Sequence, residues 1–247
     1  MKTETELVAP GLELSGAVAI ITGSGSGLGA AIARELTAAG VAVAVADIRQ
    51  DAANRVASQL DGAMAMHLDV ADDASARAAV EATLSRWGRV DILVNNAGVD
   101  RTASFAELTA EDWARVIDVN LRGPVTMSRA VWDTMVAQGR GAVINITSTA
   151  ATRAWSNASA YHATKWGLLG FSRALHVEGR ALGIAVTAVI AGGMETPFLL
   201  ERFPDIDRST LQDPKNVAKV IRTVLQSPRG TLIPEIMVLP EAETSWP

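Results

Sequence analysis

Six short apolar runs, alternating with longer stretches of helical periodicity, limit what this chain can become. They are AVAIIT (17–22), VAVAVA (41–46), AMAMHL (63–68), DILVN (91–95), AVINIT (142–147) and IAVTAVI (184–190). A strand with one wet face alternates apolar and polar residues. These runs stay apolar, which predicts burial on both faces and a parallel sheet with helices on each side. The segments between them, such as AAIARELTAAG and DDASARAAVEATLSRWG, repeat with helical period and end in glycine. Strands that alternate with helices build βαβ units. No linker or repeat divides the chain, so one domain is expected over 14–247, preceded by a flexible arm at 1–13. A last run, LIPEIMVL (232–239), offers a further strand, which Pro234 confines to an edge or to a start after the proline. Trp246 and Pro247 have no evident role.

Composition removes several function classes. The 247 residues carry a net charge of −5 with both signs dispersed, so neither nucleic acid nor an anionic membrane is an expected partner. Cysteine is absent, which excludes disulfides, thiolate catalysis and thiolate-bound zinc. His67, His162 and His176 lack the close spacing of a zinc motif, and no metal is expected. The opening MKTETELVAPGLELSG has no apolar core for a secretory signal. No stretch reaches the ~20 apolar residues of a membrane span. The chain reads as cytoplasmic.

Thr22–Gly29 spells TGSGSGLG, after the first strand and before a helix. Glycines at Gly23, Gly27 and Gly29 permit a tight turn and let backbone N–H groups approach a pyrophosphate, with Ser26 and Leu28 between them. The helix N-terminus adds partial positive charge there. Asp47 ends the second strand, where an acid reads ribose hydroxyls in dinucleotide sites; a helix N-cap is its other reading. The expected fold is therefore a Rossmann-type doubly wound α/β sheet. Asp47 repels a 2′-phosphate and no Lys or Arg lies among the glycines, so NAD is preferred over NADP. Arg49 offsets this only if its side chain turns inward.

The chain has one tyrosine, Tyr161, and one of its four lysines, Lys165, lies four residues on in YHATK. On a helix the two share a face. A phenol with a pKa near ~10 is a poor base at neutral pH, and an adjacent ammonium favours its ionised form. An exposed i,i+4 pair is the alternative.

Together TGSGSGLG, NNAG at Asn95–Gly98, Asn120 in DVNLRG, Ser148 after INIT, and YHATK make the sequence similar to the short-chain dehydrogenase/reductase family from about residue 14 to about 240. The resemblance implies that Tyr161 is the general acid/base and that Lys165 holds the nicotinamide ribose and lowers the tyrosine pKa. It implies that Ser148 hydrogen-bonds the substrate oxygen and that Asn120 supports a proton-relaying water. Asp69 and Val70 would flank the adenine, Asn96, Ala97 and Gly98 would line the cofactor, and Thr196 would contact the carboxamide or phosphates. A homo-oligomer, dimer or tetramer, is implied through the helix after Asn120 and the helix with WGLLGF (166–171).

Two departures stand out. Ala191-Gly192-Gly193 replaces the family's Pro-Gly after the sixth strand, which predicts a looser loop. LIPEIMVLPEAETSWP replaces its usual aspartate-diglycine ending. The function implied is NAD(H)-dependent interconversion of a secondary alcohol and a carbonyl. An NADPH-dependent 3-oxoacyl thioester reductase would use the same tetrad, and a non-catalytic dinucleotide sensor would use only the glycine cradle. Segments 99–105, 149–158 and 193–208, with Trp155, Met194, Phe198 and Phe203, are expected to shape the pocket. Their apolar side chains suit a hydrophobic substrate and equally suit packing on the core.

Overall fold

The computed structural model describes residues 12–228 and 230–243. Most of the expected arm, and Trp246 and Pro247, lie outside them. The chain forms β1 (Val18–Thr22), α1 (Gly27–Ala38), β2 (Ala42–Asp47), α2 (Gln50–Ala57), β3 (Met64–His67), α3 (Asp73–Trp87) and β4 (Ile92–Asn95). It continues through α4 (Ala110–Ile117), α5 (Gly123–Gln138), β5 (Gly141–Ser148), α6 (Ser159–Arg180), β6 (Ile184–Ala191), α7 (Pro197–Leu200), α8 (Pro214–Leu225) and β7 (Glu235–Val238). Strand order is β3-β2-β1-β4-β5-β6-β7, and every pairing is parallel. The order reverses between β1 and β4, whose carboxyl ends therefore open a crevice.

Continuously apolar strands serve two cores at once. Successive residues point to opposite faces, so Ile21, Val45, Val94 and Ile144 pack towards α1 and α8. Their neighbours Ile20, Ala44, Leu93 and Val143 pack with Met127 and Val131 of α5 on the other side. The expectation of two-sided burial fails at β3, one edge of the sheet, while β7 takes the edge position that Pro234 allowed. Met64 and Ala65 of β3 are only half-buried and His67 is exposed, and all of β7 is half-buried. Each of these strands has a neighbour on one side only. β7 begins after Pro234, which has no N–H to offer a ladder.

Helix ends follow local chemistry. Asp72 accepts a hydrogen bond from Ala74 N–H (2.8 Å) at the start of α3, and Gly88 ends that helix at φ 73°. At the other end of the sheet, Asp91 is a buried carboxylate before β4. It accepts from Val18 N–H (2.9 Å) and from Arg89 Nε and Nη2 (2.7 and 2.6 Å), with Arg140 Nη2 at 3.6 Å. Asp91→Ala is expected to lower stability by about 2–4 kcal/mol, because it strands a buried N–H and two guanidinium groups. Urea unfolding checks this, and a loss below about 1 kcal/mol contradicts it.

Candidate active site

The turn after β1 is fixed by how closely other backbone approaches it. Gly23 (φ +63°) and Gly27 (φ +53°) adopt left-handed conformations. A Cβ on Gly29 would lie 2.4 Å from Gly23 O and 2.6 Å from Asn96 Nδ2. A Cβ on Gly23 would lie 2.7 Å from Ala97 Cα. The Asn96 amide donates to Thr22 O and Gly23 O, both at 3.0 Å, and Thr22 Oγ1 accepts from Asn96 and Ala97 N–H, also at 3.0 Å. Asn96 is thus a brace, with Ala97 and Gly98 continuing along the crevice wall. Ser24, a residue that sequence reasoning missed, is fully buried; its Oγ accepts from Ala46 N–H (3.0 Å) and donates to Ile21 O (2.7 Å). Its only signal is that it stands between glycines.

The start of α1 is prepared for an anion. Ser26 occupies the N-cap without a capping side-chain bond, and no acid lies in the first turn. Its N–H groups remain available to phosphate oxygens. Asp47 is buried, accepting from Gly25 N–H (2.8 Å) and Arg49 N–H (2.9 Å). Arg49 does turn inward: Nη2 donates to Ser26 Oγ (3.3 Å) and Nε is 3.7 Å from Asp47 Oδ1. Asp69 Oδ1 accepts from Ala71 N–H (2.9 Å), and Val70 is pressed against Gly123, where a Cβ would meet it at 2.8 Å. Thr196 is buried across the crevice, its Cβ 3.4 Å from where a Cβ of Gly27 would be. These residues fit a dinucleotide: an open helix N-terminus, a glycine turn and a buried acid lie along one wall.

Tyr161 sits in the first turn of α6 and Lys165 one turn on, its Nζ 5.5 Å from the phenol ring centroid. Lys165 Nζ donates to Ile146 O (2.9 Å). Both side chains are buried, so the exposed-pair alternative is excluded. Ser148, at the end of β5, accepts from Ala150 N–H (3.1 Å) and is close enough to the phenol to pull its pKa down, so it is both a turn cap and a neighbour of Tyr161. Asn120 is fully buried in a π-helical turn, Asp118–Arg122, between α4 and α5. Its amide donates to Val99 O (2.7 Å) and Thr164 Oγ1 (3.3 Å), and its Oδ1 accepts from Val99 N–H (2.8 Å). Pro124 has no N–H, so the Asn120 carbonyl lacks an α-helical donor four residues on.

Burial sets the electrostatics. It pushes Tyr161 up to about 12, against the hydrogen bond from Ser148 and the Arg202 charge, which pull down. The protein's own groups therefore do not lower the phenol as the Tyr–Lys spacing suggested. Burial also brings Lys165 down to about 8, with Asp100 opposing.

A cavity of about 1200 Å³ joins the cradle to Tyr161 and extends to Trp155, Phe198 and Arg202. Sequence reasoning missed the ion pair between Arg202 and Asp100, which joins segments 102 residues apart. Desolvation raises the Asp100 pKa while Arg202 pulls it back. The Arg202 guanidinium lies 4.1 Å over the Phe198 ring, itself 6.0 Å from that of Tyr161. The loop at Gly192-Gly193 is packed rather than loose. A Cβ on Gly192 would lie 2.8 Å from Pro240 Cδ, and one on Gly193 2.9 Å from Leu211 Cδ2. Among the described residues no acid–histidine cluster suits a metal, and no helix is long and apolar enough to cross a membrane.

The depressed lysine carries a testable stability cost. Between its folded value of about 8 and the ordinary 10.5 the native state binds fewer protons than the unfolded chain. The penalty is therefore full below this window and fades as the pH rises through it. Lys165→Met is expected to stabilise the cofactor-free protein by about 1–3 kcal/mol at pH ~7 and by clearly less at pH ~10. Urea unfolding at both pH values is the measurement, and equal gains would contradict the assignment.

Comparison with known proteins gives the family and agrees with the fold. The short chain dehydrogenase family profile matches residues 17–207. D-threitol dehydrogenase of Mycolicibacterium smegmatis is 41% identical over 180 residues, 71% of this chain and 69% of that protein. The NAD(+)-dependent 2-dehydro-3-deoxy-L-rhamnonate dehydrogenase of a Sphingomonas species is 36% identical over 186 residues, 75% of each. The crystal structure of 3-ketoacyl-(acyl-carrier-protein) reductase from Brucella melitensis with NADH superposes at a TM-score of 0.85 and 33% identity, covering 93% of this chain and 99% of that one. With its parallel sheet, glycine turn and buried Tyr–Lys pair, the chain belongs to the short-chain dehydrogenase/reductase family of oxidoreductases.

Proposed function

We propose that this protein interconverts a secondary alcohol and a carbonyl with NAD(H), using Tyr161 as general acid/base. The observation that carries this reading is the convergence of Ser148, Tyr161 and Lys165 on the cavity that begins at the glycine turn. A nicotinamide dinucleotide bound there supplies or takes up the hydride. Ser148 donates a hydrogen bond to the substrate oxygen and Tyr161 holds the proton that this oxygen gains or loses. Lys165 would hold the cofactor ribose and offer its charge to the phenol once the proton leaves. Asn120 fixes the neighbouring backbone through Val99, and its carbonyl, which has no α-helical donor at Pro124, suits a relaying water.

A sensor has no use for a buried lysine and tyrosine held at such cost, which favours turnover over binding alone. A 3-oxoacyl thioester would suit the same tetrad. The named relatives act on polyol, sugar-acid and ketoacyl substrates, so the substrate class proposed is a small secondary alcohol or its ketone. With Tyr161 held up at about 12, the phenol is protonated at neutral pH, the form that gives a proton to a carbonyl oxygen, whereas taking the proton of an alcohol needs its ionised form. Alcohol oxidation should therefore quicken from pH ~7 to ~10, while ketone reduction should not. Tyr161→Phe is expected to lower kcat by ~10²–10⁴-fold with cofactor binding nearly intact. NADH absorbance and a cofactor titration read both, and retention of more than about a tenth of kcat would sink the role.

Asp47 supports NAD(H): it lines the cavity beside the glycine turn, where its carboxylate would accept from ribose hydroxyls and disfavour a 2′-phosphate by about 1–4 kcal/mol. One observation favours NADP(H), the Arg49 guanidinium against Ser26 and Asp47. Asp47→Ala should weaken NADH and shift the NADH:NADPH ratio of kcat/KM towards NADPH by roughly tenfold or more. The two ratios are measured at one ionic strength. An unchanged ratio, or a wild-type preference for NADPH, would assign the discrimination elsewhere.

A further inference from the structure

We propose that the segment after β7 forms a wall of the substrate pocket, and that the Arg153–Glu243 ion pair is the latch that holds it closed and limits substrate size. This rests on the reading of the cavity as the substrate site.

The tail is steered into place by contacts that leave it little freedom. Gly192 N–H donates to Val238 O (2.9 Å), and Gln212 Nε2 donates to the same carbonyl (3.1 Å). Leu239 and Pro240 then lie on Gly192, where a Cβ would be 3.1 Å from Leu239 Cδ2 and 2.8 Å from Pro240 Cδ. The glycine that replaces the family's usual pattern is thus what lets the tail cross the end of β6. A turn closed by Glu243 N–H to Pro240 O (3.0 Å) brings the Glu243 carboxylate to the cavity. Pro240, Ala242 and Glu243 line the same cavity as Ser148 and Tyr161.

On the facing side, Arg153 grips Glu243 with two hydrogen bonds, Nη1 to Oε1 at 3.3 Å and Nη2 to Oε2 at 3.0 Å. The side chains are only 25% and 15% exposed. A largely buried pair adds little net stability, because desolvation offsets attraction, but a bidentate fork fixes geometry. The fork also reaches the catalytic helix. The Arg153 guanidinium is 5.8 Å from the Trp155 ring, and that ring meets His162 edge-on at 4.3 Å. Trp155 N–H donates to His162 Nε2 (3.1 Å), so the Nδ1 that meets Ala150 O at 2.9 Å carries the proton. His162 adjoins Tyr161. The latch therefore joins the tail to the loop between Ser148 and Tyr161, and opening it enlarges the pocket beside the reacting carbon.

The test compares wild type, Arg153→Glu, Glu243→Arg, the double charge swap, Glu243→Gln, and a chain ending at Pro240. For each, kcat/KM is measured with NADH for a small aliphatic ketone and for a bulky aryl ketone. Amide hydrogen exchange is followed in peptides of 149–158. Each single variant and the truncation should raise the bulky-to-small ratio by roughly tenfold and speed exchange in 149–158. The double swap should bring both back towards wild type. A ratio within about twofold of wild type in the truncated chain, or no recovery in the double swap, overturns the latch. If a variant fails to fold, Glu243→Gln removes the charge with least disturbance and decides by the same two readouts. If wild type reduces no ketone, the proposed reaction fails instead, and the exchange arm decides the latch: unchanged exchange overturns it, while faster exchange restored by the swap upholds it.

Discussion

Where β1 and β4 end side by side, Thr22, Gly23, Gly29 and Asn96 fill the space between two turns so completely that no further atom fits. This contact brings the start of α1 to the mouth of the crevice and turns its N–H groups outward. It also fixes the direction of the chain leaving β4, which runs through Gly98 and Val99 to meet Asn120. The cradle and the proton-handling side of the site are thereby held at one separation, set by packing rather than by a flexible hinge. A dinucleotide spanning the two ends needs that separation to be constant.

The site is assembled from groups that gain nothing for stability where they stand. Lys165 and Tyr161 are both held away from their charged forms by burial. Asp100 is desolvated and only partly compensated by Arg202. The two apolar layers on either side of the sheet make this tolerable, since the strands that carry Ser148 and Asn95 into the site are anchored on both faces. Side-chain amides link those strands as well: Asn95 Nδ2 donates to Asn145 Oδ1 (2.8 Å), and Asn145 Nδ2 to Ser172 Oγ (2.9 Å), while Asn95 Oδ1 is buried without a partner. That chain of amides ties β4 and β5 to α6, the helix of Tyr161.

Much of this was legible in the sequence, for a physical reason. The glycine turn, Asp47, and the Tyr161–Lys165 pair are local: their geometry follows from a strand end, a helix start or one helical turn. Asn120, Ser148 and Thr196 were legible only through family resemblance, because a lone polar residue carries no local signal. What escaped were contacts between distant residues. The Asp100–Arg202 and Arg153–Glu243 pairs each join residues whose spacing says nothing of their meeting. Gly192 and Gly193 looked like a source of looseness and are instead a surface against which side chains close. The inward turn of Arg49 was open at the level of sequence, since a rotamer is chosen by its neighbours. Edge exposure of β3 was hidden too, because strand order cannot be read from runs that look alike, whereas Pro234 marked β7 as an edge.

The π-helical turn at Asp118–Arg122, where Gly123 N–H reaches back five residues to Asp118 O, amounts to one residue inserted into an otherwise continuous helical rod. Each residue advances a helix by about 100°. Without the insertion, α5 would be rotated by that angle relative to α4. An unbroken α-helix would put Val116 and Met127, eleven residues apart, on one face; the wide turn offsets them, so that α4 meets α6 while Met127 and Val131 of α5 face the sheet. The irregularity therefore acts as a phase shifter: it lets one rod present a polar amide to the crevice midway along, and lay its two halves against different neighbours.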